Sequence, residues 1–95
     1  MDLFKRSKAM LTEFGIDPND VISVSNIYSD FDDRKLLYGT VMKYVSSALG
    51  RDIICIMLVG GWSKQYIVDY KKIGTVVDDM KSNGFTERQI ESILN

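Results

Sequence analysis

The chain has 95 residues, with 12 basic and 13 acidic side chains, no histidine, 45% apolar and 26% charged residues, and a net charge of −1. That is chain for one domain (1–95) with an ordinary core, and it argues against intrinsic disorder and against a broadly basic nucleic-acid binder. With no histidine and one cysteine, His-dependent triads, imidazole acid–base catalysis and the usual zinc ligand sets are excluded, and an intrachain disulfide has no second thiol.

The first predicted element is a helix. Leu3, Phe4, Ser7, Met10, Leu11 and Phe14 form one stripe at helical spacing, with Asp2 placed as N-cap and Gly15 at the C-terminal stop. Lys5, Arg6 and Lys8 line its polar side, and packing against a core accounts for this pattern better than lying on a membrane. No apolar run of secretory type follows Met1, so a cytoplasmic location is expected.

Asp17-Pro18-Asn19-Asp20 has the chemistry of a helix start, with a capping aspartate and proline at the first helical position. Val21, Val24, Tyr28 and Phe31 continue at helical spacing, whereas Ile22, Val24 and Tyr28 fit partial alternation. The spacing predicts a helix over 18–28. Asp32 or Asp33 then caps a longer helix to about Ala48, whose face is Leu37, Val41, Tyr44, Val45 and Ala48, with Gly39 tolerated inside and Gly50 at its end.

Ile53 to Val59 is an unbroken apolar run that ends in Gly60-Gly61 and the only tryptophan, Trp62. Seven such residues suit a strand buried on both faces and cannot cross a bilayer. Tyr66 to Tyr70 has strand propensity and reads as a hairpin partner to a strand over 52–59. A rival pattern places Tyr66, Ile67, Tyr70, Ile73, Val77 and Met80 on one helical face capped by Ser63. Thr75 with Asp78 resembles a capping box, which starts a helix over 76–82 and favours the hairpin before it. Asn83-Gly84 breaks that helix, and Thr86 with Gln89 caps a last one carrying Ile90, Ile93 and Leu94. The expected fold is a small α+β domain, a short antiparallel β-hairpin packed among four to five helices in the order α-α-α-β-β-α-α.

Charge is segregated. Residues 17–33 carry five aspartates and no base, a local −5, while residues 34–72 carry seven bases against two acids, a local +5. Local neutralisation within the fold is the simpler expectation, and a bipolar surface that steers a charged protein partner or self-associates head to tail is the sharper one.

Candidate sites are weighed against structural roles. Gly60-Gly61-Trp62-Ser63-Lys64 lacks the spacing of a phosphate-binding loop and reads as a turn. Asp30-Phe31-Asp32-Asp33 lacks the spaced ligands of a calcium loop and reads as helix capping. Asp78 and Asp79 diverge on a helix and form no catalytic pair. The C-terminal helix pair has helix-turn-helix length, but Glu87 and Glu91 on its second helix would meet phosphates unfavourably.

The expected function is therefore that of a small non-catalytic intracellular interaction or regulatory module that binds and occludes a macromolecular partner, of the kind used by phage or mobile-element inhibitors. It needs no cofactor or metal; its partner is a protein or a second copy as a homodimer, and it does not engage a membrane. The expected contact residues are Gly60, Gly61, Trp62, Lys64, Tyr66 and Tyr70, an aromatic hairpin with a turn at its tip. The alternatives are a nucleic-acid-binding regulator using the C-terminal helices, and a sensor of a small phosphorylated ligand at Gly60–Lys64.

Overall fold

The computed structural model describes residues 3–28 and 38–95. Helix α1 (Leu3–Phe14) leads through a 3-10 turn at Pro18–Asp20 into four strands, β1 (Val21–Ile27), β2 (Gly39–Ser46), β3 (Arg51–Leu58) and β4 (Ser63–Val68), and a second 3-10 turn at Tyr70–Lys72 precedes α2 (Ile73–Ser82) and α3 (Glu87–Leu94). The strands form one antiparallel sheet in the order β1-β2-β3-β4. This small α+β domain overturns the expected architecture. There are three helices among the described residues, not four to five, and α1 is followed by β-β-β-β-α-α, so the isolated hairpin gives way to a four-stranded meander.

Both missing strands were hidden under helical patterns. The cap chemistry at Asp17 is real, since its carboxylate accepts from the Asn19 amide at 2.9 Å. It closes a single 3-10 turn, after which Val21-Ile22-Ser23-Val24-Ser25-Asn26-Ile27 extends, as β-branched and serine-rich segments prefer. In β2 the residues Thr40, Val41, Met42 and Tyr44 are all buried. A strand covered on both faces loses its period-two signature, and its apolar residues then match a helical stripe by coincidence. The expected start of that helix at Asp32 or Asp33 lies outside the described residues, as does the Asp2 cap. Gly50, read as a helix stop, closes the β2–β3 turn, where its amide donates to the Ser46 carbonyl at 2.7 Å.

The apolar run explains the layering. Along β3, Ile53 and Cys55 pack with Met10, Ile16, Met42 and Tyr44 under α1, while Ile54, Ile56 and Leu58 pack with Val41, Val76, Met80, Phe85, Ile90 and Ile93 under α2 and α3. One strand therefore serves two cores, and the sheet is sandwiched between α1 and the α2/α3 pair. Burial pushes the Cys55 thiol up to about 11, so it stays protonated and inert.

The C-terminal layer is held by local chemistry. Helix α2 begins at Ile73, ahead of the expected Thr75 cap; the Thr75 hydroxyl donates back to the Lys72 carbonyl at 2.9 Å instead of capping. After Gly84 the Phe85 amide returns to the Met80 carbonyl at 3.1 Å, a Schellman-type closure that turns Phe85 into the core. Thr86 and Gln89 form the reciprocal capping box of α3. The buried Gln89 also donates from Nε2 to the Tyr28 carbonyl at 2.9 Å, which ties α3 to the end of β1.

Candidate functional site

The six expected contact residues fall into two places. Gly60 and Gly61 occupy the β3–β4 turn, closed by the Leu58 amide donating to the Trp62 carbonyl at 2.7 Å, with Gly61 at φ +98°. At that φ glycine is favoured because other residues meet strain. Trp62, Lys64 and Tyr66 follow at alternate positions, so all three face α2. The Trp62 ring is half-buried 5.9 Å from Phe85 at an interplanar angle of 58°. Tyr66 is 6% exposed and belongs to the core. Tyr70 lies beyond the strand end and is 71% exposed. An aromatic strip through Tyr66 and Tyr70 is therefore not formed.

Asp79 organises the inner side of this hairpin. Its Oδ2 accepts from Lys64 Nζ at 2.5 Å and from the Tyr66 hydroxyl at 2.7 Å, and the Lys64 ammonium lies 5.2 Å from the Tyr66 ring centroid. The Lys64 hydrogen bond, then that of Tyr66, holds the Asp79 carboxyl below its ordinary value, while burial foremost and Asp79 next push the Tyr66 phenol up. The lysine that would greet an anion at the glycine turn is thus engaged by a carboxylate. Lys64 and Asp79 side chains are 41% and 37% exposed, so solvent screens the pair, and its main effect is to pin α2 to β4.

A pH dependence follows. Because the folded Asp79 value lies below the unfolded one, its stabilising contribution is complete above about pH 4 and is lost as pH falls through the folded value. The stability gap between wild type and Asp79→Asn should be constant near neutrality and close in acid. Urea melts from pH 7 to pH 2.5 measure this, and a gap that stays open at the acid end would contradict the assignment.

The second place is the opposite end of the sheet, on the α2/α3 face beside the end of α3. A cleft of about 80 Å³ opens there. Ile54 and Val68 form its base, Lys43 and Asp52 its polar walls, and Ile22, Tyr70 and Leu94 its rim. Ile22 is 65% exposed. Lys43 Nζ donates to the Asn95 carbonyl at 2.7 Å, at the C-terminal, negative end of the α3 dipole, and desolvation lowers its pKa. An ammonium has three donor hydrogens, so two remain, and the Asp52 carboxylate has no hydrogen-bond partner among the described residues. The cleft thus has a donor from β2 and an acceptor from β3 among its lining residues, with Ile54 and Val68 beneath.

Of the expected residues only Tyr70 belongs to this cleft. Ile22, Lys43, Asp52 and Leu94 were missed, because three different strands and α3 bring them together. The one signal available in the sequence was Lys43 itself, a lone charge within Gly39–Ser46. On a helix it reads as a solvated face; inside a central strand a lysine calls for a reason.

Among the described residues no helix is long and apolar enough to cross a membrane, and no three His, Cys, Asp or Glu side chains come together in a metal-binding group. Asp30, Asp32 and Asp33 lie outside those residues. Compared with known proteins, the chain matches no family model, no curated protein and no solved structure.

Proposed function

We propose that this chain is a small non-catalytic interaction module that binds and occludes a protein partner, taking one aliphatic side chain of that partner into the cleft between Ile22, Tyr70 and Leu94. The observation that carries this reading is the cleft itself, which sets the exposed Ile22 and Tyr70 at its rim beside the polar side chains of Lys43 and Asp52. Size selects the occupant. Small-molecule and cofactor sites run to roughly 300–1,000 Å³, and an engineered cavity that takes up benzene is about 150 Å³. A cleft of about 80 Å³ suits the end of a leucine-sized side chain. The adjacent ammonium and carboxylate then complement the carbonyl and amide of that residue's own backbone. Exposed aromatic and aliphatic rim residues supply the anchor contacts typical of protein recognition.

Titration with N-acetyl-leucine-N-methylamide, followed by amide chemical shifts, tests the pocket directly. Shifts should map to Ile22, Lys43, Asp52, Val68, Tyr70 and Leu94. They should vanish in an Ile22→Ser, Tyr70→Ala double variant, whose stability should stay within about 0.5 kcal/mol of wild type because both side chains are exposed. Shifts confined to the Gly60–Trp62 turn, or none at millimolar ligand, would overturn the reading.

A further inference from the structure

Each neighbouring strand pair in the sheet is antiparallel, so with four strands the two edge strands, β1 and β4, also run in opposite directions. A second copy displaced across the sheet without rotation therefore sets its β1 antiparallel to the first copy's β4. An odd number of strands would have made that contact parallel.

Among the described residues the edges carry little protection. Among the described residues no backbone group pairs with the outer side of β1 or of β4. Edge strands are usually protected by inward charges, prolines or bulges. Val21–Ile27 contains no charge and no proline, and its protection is one irregularity between Val21 and Ser23. The lysine of β4 is turned onto Asp79 and does not guard the edge. Ile67, at the β4 edge, is 55% exposed.

Charge selects which edges meet. The pairs Val21–Tyr44, Tyr44–Ile53 and Ile53–Ile67 lie on one cross-strand row, which puts the start of β1 and the end of β4 at the same end of the sheet. Asp17 and Asp20 precede β1; Lys71 and Lys72 follow β4, all at that end. Asp17 and Asp20 thus lie by the β1 edge and Lys71 and Lys72 by the β4 edge, and neither Lys64–Asp79 nor Lys81–Glu87 links the two. Asp30, Asp32, Asp33, Arg34 and Lys35, where the acidic and basic segments adjoin, lie outside the described residues. Across a β4–β1 contact the two lysines of one copy meet the two aspartates of the next, and Ile67 gains the Val21 and Val24 side of the incoming strand on the α1 face.

We infer that the partner fitted to these edges is a second copy of this chain, added head to tail so that β4 of one molecule pairs with β1 of the next in a continuing antiparallel sheet. Such a heterologous contact leaves a free edge at each end, and the twist of the sheet turns successive copies, so assembly is open-ended. This goes beyond the cleft reading and does not depend on it; Ile22 of β1 and Tyr70 beside Lys71 line the cleft, and the variants that test the contact leave both unchanged.

Sedimentation equilibrium over a wide concentration range tests it. Wild type should rise from 10.8 kDa through a series of masses without a plateau at the dimer. A Lys71→Glu, Lys72→Glu variant makes both ends acidic, and an Asp17→Lys, Asp20→Lys variant makes both ends basic. Each alone should associate at least tenfold more weakly, and an equimolar mixture should regain wild-type association, because every contact in the mixed assembly is again between opposite charges. Thermal melts confirm that both variants fold, and Ile67→Lys, an exposed change away from those charges, should also weaken association. A wild type that stays monomeric to millimolar concentration would overturn the inference. So would a plateau at twice the monomer mass, a charge variant that associates like wild type, or a mixture that does not recover.

Discussion

Gly39→Ala should destabilise the protein by about 3 kcal/mol, the upper end of the usual cost of overpacking, and lower the melting temperature by roughly 12–24 °C for a domain of this size. A methyl group on Gly39 would collide with the Met57 carbonyl oxygen and sit 2.8 Å from Leu58 Cδ2 and 3.0 Å from Leu58 Cα. Two of those three atoms are backbone atoms of the adjacent central strand, so relief requires β3 to move away from β2. Gly39 pairs with Leu58 on one side and Ile27 on the other, and a shift there loosens three strands together. The sign of the effect separates two folds. In the helix suggested by Leu37, Val41, Tyr44, Val45 and Ala48, the same substitution would stabilise by about 1 kcal/mol, because alanine is the better helix former. Thermal and urea melts of this one variant decide between them.

Ile56→Ala should cost about 2–5 kcal/mol, the range for removing a large aliphatic side chain from a packed core. Ile56 is fully buried, at the centre of β3 under α2 and α3. Against a total stability of about 5–15 kcal/mol for domains in general, that loss leaves a marginal fold. Ile67→Ala is the matched control: the same chemistry at an exposed edge position should change stability by no more than about 0.5 kcal/mol. Similar losses at the two positions, in urea melts at low protein concentration, would contradict the assignment of faces.

The sites repeat the pattern of the fold. Thr86 and Gln89 could be paired from spacing alone, and the box forms. Asp17 before Pro18 could be read as a cap, and it caps, yet capping chemistry is shared by an α-helix and one 3-10 turn and does not say how far the helix runs. Gly50 shows the same ambiguity, since a left-handed glycine ends a helix and closes a hairpin equally well. Trp62 stood out as the single indole beside a double glycine, but its packing on Phe85 depends on a residue 23 positions along the chain. Lys43 and Asp52 drew no notice, because nothing within a few residues of either marks a cleft.

What the amino-acid sequence determined by itself was local chemistry: the caps at Asp17 and Thr86, the glycine turns, and a central strand buried on both faces, visible as the run that begins at Ile53 and fills the strand to Leu58. These depend on groups a few residues apart, so short spacings encode them. The tertiary structure alone decided that Val21–Ile27 and Gly39–Ser46 are strands, that Asp17 and Asp20 stand by one sheet edge and Lys71 and Lys72 by the other, and that Ile22, Lys43, Asp52, Tyr70 and Leu94 share a cleft. Strand pairing satisfies backbone groups with partners far away in sequence, and burial on both faces erases the alternation that would have announced it.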